Sequence, residues 1–197
     1  GLPFSIQSAK EIFNNILHRN GAIAKNYDVL DRITQNITDY KSRFLLIFTK
    51  SHSVQSIIES LIKSKEKEFV FYNGSQFIED QKSQAYNIRM LTKMKKATEE
   101  GKILCLSDLD FLYPSYYDVF NQNYSIRDGK KYARVALGIG TNIQVYVHDE
   151  FRVVILMNIK QLEADSLPET PFLNRFEKHI LSYDDLLLKR EVIAQIN

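Results

Sequence analysis

From Arg43 onward, short apolar runs alternate with amphipathic stretches, and this alternation constrains the fold more than any other feature of the chain. An apolar run without a polar face belongs to a strand buried on both sides, as in a parallel sheet covered by helices. The runs predict strands at residues 44–49, 69–72, 103–106, 152–157 and 179–181. Helices are predicted between them at 54–64, where Val54, Ile57, Ile58, Leu61 and Ile62 share one face, then at 85–98, 116–123 and near 172–177. Asp184 is placed to cap a last helix ending near Ile196. Two β-rich runs, 132–137 and 143–147, flank Gly138-Ile139-Gly140 and predict an antiparallel hairpin inserted before the fourth strand. Two helical stripes precede the alternation, one through Ile12, Phe13 and Ile16, the other through Leu30, Ile33 and Ile37. The expected organisation is therefore an N-terminal helical segment, residues 1–42, packing on an α/β domain at 43–197.

Charge and cysteine content exclude more than they suggest. The 197 residues carry 26 basic against 24 acidic side chains, too balanced to announce a nucleic-acid or membrane partner. The longest apolar runs, about six residues, fall short of the ~20 that span a bilayer, and no signal-peptide pattern opens the chain, which reads as intracellular and cytoplasmic. Gly1 at the start and a helix running to Asn197 read as a piece excised from something larger. The single cysteine, Cys105, lies in an apolar run and is expected to be buried and inert. His18, His52, His148 and His179 are scattered without carboxylate or thiol partners at ligand spacing, so no metal site is expected.

The turn after the first strand is the decisive place to look for nucleotide chemistry. A phosphate-binding loop needs glycines so that successive N–H groups can converge on the phosphates, with Lys and Ser/Thr beside them. Here the turn reads Lys50-Ser51-His52-Ser53, without a glycine, and neither Gly101-Lys102 nor Gly129-Lys130 has the required spacing. The third strand ends Leu106-Ser107-Asp108-Leu109-Asp110, where an acidic pair would hold Mg²⁺. Only Asp108 is in register, and Asp108 and Asp110 also suit capping of the following turn. The lone Gly-x-Gly fits a turn better than a dinucleotide fingerprint, because another strand and no helix follows it. Lys93, Lys95 and Lys96, and Lys130 with Lys131, read as solvated surface, and Tyr113, Tyr116, Tyr117, Phe120 and Tyr124 as a packed stripe.

Pro171-Phe172-Leu173-Asn174-Arg175-Phe176-Glu177-Lys178-His179, following a fourth strand that ends in Met157-Asn158, resembles the segment of AAA+ ATPases that carries the arginine finger. Asp110 to Tyr113, Ser115 to Tyr124, Ala136 to Thr141 and His148 to Val153 occur around it in the order found in mysterin-type proteins, giant AAA+ and RING-type E3 ubiquitin ligases. The resemblance covers about residues 43–185. It implies a P-loop NTPase-like fold, the AAA+ large subdomain with a five-stranded parallel sheet, as one unit of a dynein-like array within one polypeptide. By the same resemblance Asn158 falls at the sensor position, Asp108 at the catalytic carboxylate and Arg175 at the finger. The missing phosphate loop implies a degenerate unit without bound ATP or Mg²⁺, whose partners are neighbouring AAA+ units of the same chain. Arg175 either reaches a neighbour's nucleotide or pairs on the surface with Glu177 or Asp184. Two other functions stay open: a divergent NTPase using Asp108, Asn158 and Arg175, and a nucleic-acid-binding module using the tip Arg127-Asp128-Gly129-Lys130-Lys131.

Overall fold

The computed structural model describes residues 28–50, 53–138, 141–162 and 170–181. The expected helices around Ile12–Leu17 and after Asp184 lie outside these residues, as do Ser51, His52 and Gly140. Asp28 opens the first described helix, α1 (Val29–Thr38), its carboxylate accepting the Leu30 N–H at 2.9 Å. The central strand β1 (Phe44–Thr49) follows, then α2 (Ser53–Lys63), β2 (Phe69–Asn73), a short α3 (Ile78–Lys82) and α4 (Gln84–Glu100). Ser83 caps α4 by accepting from Tyr86 N–H, and Gly101 ends it in the left-handed region at φ 74°.

Five parallel strands form the main sheet in the order β2-β3-β7-β1-β8, with β3 at Ile103–Ser107, β7 at Arg152–Asn158 and β8 at Phe176–Leu181. The alternation of side chains divides the core in two. Phe44, Leu46 and Phe48 of β1, with Leu104, Leu106, Val153, Ile155 and Met157, meet α4 and the inserted elements on one face. Leu45, Ile47, Cys105, Val154 and Leu156 meet α1 and α2 on the other, which is why these strands read as unbroken apolar runs. Cys105 is fully buried there, and desolvation pushes its thiol well above the usual range.

Three boundaries differ from the sequence reading. The expected helix at 116–123 is a 3₁₀ helix over Asp110–Tyr116, containing Pro114, that continues into a one-turn α5 at Tyr117–Phe120. The expected helix near 172–177 is only the turn α6, Thr170–Leu173, and Phe176 already starts β8. The inserted hairpin, β5 (Lys130–Gly138) and β6 (Thr141–Val147), gains a third antiparallel strand, β4 (Ser125–Arg127).

The aromatic stripe is core. Tyr113 stacks on Phe172 with ring centroids 5.2 Å apart, and Phe120 and Phe176 close the same cluster. Such pairs each contribute roughly 0.5–1.5 kcal/mol beyond area burial.

Candidate functional site

The carboxyl ends of β1, β3 and β7 open onto a cavity of about 140 Å³ lined by Thr49, Lys50, Gln55, Ser107, Asp108 and Asn158, among others. Ligands of open α/β sheets settle at this end of the strands, where successive connections leave in opposite directions. Here β1 runs off toward β2, while the chain after β7 crosses back past β1 to β8. Register places Asn158 beside Thr49, and Ser107 beside Leu156 on one side and Asn73 on the other.

The end of β3 is built for rigidity. Ser107 Oγ donates to Asn73 Oδ1 at 3.1 Å, and Ser107 O accepts the Gly74 N–H at 2.8 Å. Asp108 then turns into the left-handed region at φ 53°, which aspartate tolerates better than most residues. Its carbonyl presses on Gly74 so closely that an added Cβ there would lie 1.6 Å away. Asp108 does not hold the cap position of the following turn, which Leu109 occupies, whereas the Asp110 carboxylate accepts a backbone N–H at the turn's first residue. Desolvation first, and the Asp108 charge second, hold the Asp110 carboxyl above its ordinary range. Asn158 Oδ1 accepts the Lys160 N–H at 3.0 Å at the far lip of the cavity.

Arg175 stands elsewhere. It precedes edge strand β8 at its amino end. Nε donates to Asn121 Oδ1 at 2.5 Å, and Cζ lies 4.3 Å from the Tyr117 ring centroid, a cation stacked on an aromatic face. The suggested surface pair with Glu177 does not form, since Glu177 instead bonds His179 Nε2 at 2.8 Å and Asn36 Nδ2 at 2.7 Å. Asp184 lies outside the described residues. The sites are thus split: Asp108 and Asn158 share the cavity with Lys50, while Arg175 braces α5 against the start of β8.

The sequence reading missed the buried charge. Arg152, 1% exposed at the head of β7, donates from Nη1 to Ser42 O at 2.7 Å and from Nη2 to Asn36 Oδ1 at 2.5 Å and Arg43 O at 2.8 Å. Burial lowers its pKa. Asn36 passes the connection on to Glu177 and so ties α1, β7 and β8 together. The one available signal was an arginine opening an otherwise apolar run and an asparagine inside the α1 stripe.

Among the described residues no group of His, Cys, Asp and Glu could hold a metal ion, and no helix is long and apolar enough to cross a membrane. Within the small basic clusters, Lys95 pairs with Glu99, Lys96 with Glu100 and Lys131 with Asp149, whereas Lys93 and Lys130 lie over the rings of Tyr72 and Tyr146.

A parallel sheet of this kind, with helices on both faces and a cleft at the carboxyl ends of its inner strands, defines an α/β domain of the P-loop NTPase-like class. Residues 34–187 match the RNF213 AAA domain family, and the chain belongs to that family. It is 34% identical over 149 residues to the mouse E3 ubiquitin-protein ligase RNF213 and 34% identical over 152 residues to the human one, covering 75% and 77% of this chain. It is also 34% identical over 180 residues, 86% of the chain, to the zebrafish E3 ubiquitin-protein ligase rnf213-beta. The matched region is 3% of the length of each of these relatives.

Proposed function

We propose that this chain is a non-catalytic structural and interaction module, one AAA-type unit of a larger cytoplasmic ubiquitin-ligase polypeptide, whose partners are the neighbouring units. The observation that carries this reading is the end of β3. Where a nucleotide-hydrolysing unit presents two adjacent carboxylates to Mg²⁺, this chain presents Ser107, with its hydroxyl bonded to Asn73, and then an Asp108 whose backbone is locked against Gly74. The turn from Lys50 to Ser53 adds no glycine of the kind that lets a run of N–H groups converge on a phosphate. The cavity's 140 Å³ is also small beside the 300–1,000 Å³ of ordinary ligand pockets. These residues do not fit a bound Mg²⁺-nucleotide, and no chemical step is assigned to the unit. Arg175 serves in this reading as a brace within its own domain, because Tyr117 and Asn121 already hold its guanidinium.

A thermal-shift titration tests the proposal. A ligand present at a hundred times its dissociation constant stabilises the fold by about 2.7 kcal/mol, which for a domain of this size raises the melting temperature by about 5–10 °C. Millimolar Mg²⁺-ATP is expected to leave the melting temperature unchanged; a rise of that size would contradict a degenerate site. A second reading is favoured by one observation: Lys50, Asp108 and Asn158 converge on a single cavity, the arrangement a divergent nucleotide-binding unit would retain. It predicts the temperature rise, and its loss on Lys50→Ala.

A further inference from the structure

Edge strand β2 and helix α4 enclose a shallow groove of about 420 Å³, lined by Phe71, Tyr72, Tyr86, Arg89, Met90 and Lys93 and separate from the cavity above. Its two walls offer complementary chemistry. On the strand side, Ile103 N donates to Glu68 O at 2.9 Å and Gly74 N to Ser107 O at 2.8 Å, so the even-numbered residues of β2 spend their backbone groups on β3. Phe69, Phe71 and Asn73 therefore turn their N–H and C=O outward, and no described strand pairs with them. On the helix side, Lys93 Nζ lies 5.7 Å from the Tyr72 ring centroid and Arg89 Cζ 5.5 Å from that of Tyr86. Among the described residues neither cation has a carboxylate in ion-pair range, whereas Lys95 and Lys96 on the same helix each have one.

We propose that this groove takes an extended acidic segment of a partner protein, added as a sixth strand along β2, with its carboxylates on Arg89 and Lys93. A strand edge beside a helix is the arrangement in which main-chain bonds supply affinity and alternate side chains supply selectivity. The spacing agrees. Residues four apart on a helix rise about 6 Å, and alternate side chains of an extended chain recur every ~6.6 Å, so acids at every second position meet both cations. The aromatic rings fix the cations on the groove wall, which reduces the ordering cost of binding. A nucleic-acid strand would use the cations but not the outward backbone donors of Phe69, Phe71 and Asn73.

The test uses the 197-residue chain and fluorescence polarisation of a labelled, acetylated seven-residue peptide alternating threonine and glutamate. Saturable binding with a dissociation constant on the order of 10–100 μM is expected, weakening at least tenfold when glutamine replaces glutamate. Two peptides N-methylated at odd or at even positions should differ, because only one set of N–H groups faces β2. The double variant Arg89→Glu/Lys93→Glu, on an exposed helix face and expected to melt as the parent does, should lose at least tenfold. Absence of saturable binding, equal binding by the double variant, or equal binding by both methylated peptides would overturn the proposal. So would an oligothymidylate of equal charge that binds more tightly than the peptide and responds to the same variant.

Discussion

Replacing Arg152 by Met keeps most of the side-chain volume and removes the charge from the interior of the fold. Three hydrogen bonds disappear, but the orphaned groups are fewer than three. Ser42 O keeps the Gln122 Nε2 donor at 3.1 Å, and Arg43 O keeps Asn36 Nδ2 at 2.9 Å, so only Asn36 Oδ1 is left without a partner. One newly unsatisfied buried acceptor costs about 1–3 kcal/mol. The lost charge-assisted bonds to the two carbonyls are partly offset, because a buried guanidinium no longer has to be stripped of water. The net expectation is about 2 kcal/mol of destabilisation, or a melting temperature lower by about 4–8 °C. Arg152→Ala adds a cavity and should cost about 4 kcal/mol. Urea unfolding followed by circular dichroism, with the denaturant slope unchanged, measures both. An Arg152→Met variant as stable as the parent, or more so, would refute the reasoning. It would mean that the Arg152–Asn36–Glu177 connection does not hold α1, β7 and β8 together.

Other substitutions probe other joints. Arg175→Ala loses the stack on Tyr117 and the bond to Asn121 and should cost about 1 kcal/mol; a melting temperature equal to the parent's would show that the brace contributes nothing. Gly74→Ala forces a Cβ against the Asp108 carbonyl and should cost about 3 kcal/mol or more, read as a lower urea midpoint; a tolerated alanine would disprove the close approach. Cys105 should react with a thiol reagent only as fast as the domain opens, its thiolate being disfavoured by burial. Rapid labelling in native buffer would place it at the surface instead.

The inner strands were legible because burial on both faces leaves an unmistakable apolar run, as in Phe44–Thr49. Strand β8 was legible only at its end. As an edge strand it exposes Lys178 and half-exposes Glu177 and His179, and charges of that kind guard an open edge while hiding the strand from a hydrophobicity reading. The aromatic spacing after Asp110 predicted the burial of Tyr113, Tyr116 and Phe120, with Tyr117 and Tyr124 half-buried beside them, but the backbone is 3₁₀ through Pro114 to Tyr116 and α-helical for only one turn after it. The places of Asp108 and Asn158 beside the cavity were legible because strand ends can be read from sequence. The grip on Arg175 was not, because Tyr117 and Asn121 are brought to it only by packing of α5 and the following turn against Phe172 and Phe176. Arg152 was hidden in the same way: its acceptors at Asn36, Ser42 and Arg43 lie more than a hundred residues away along the chain.

Isothermal titration calorimetry with Mg²⁺-ATP asks whether the cleft at the ends of β1, β3 and β7 serves a nucleotide. No saturable heat is expected in the submillimolar range, for the parent chain and for Lys50→Ala and Asp108→Asn alike. A submillimolar dissociation constant in the parent that disappears in those two variants would contradict that expectation.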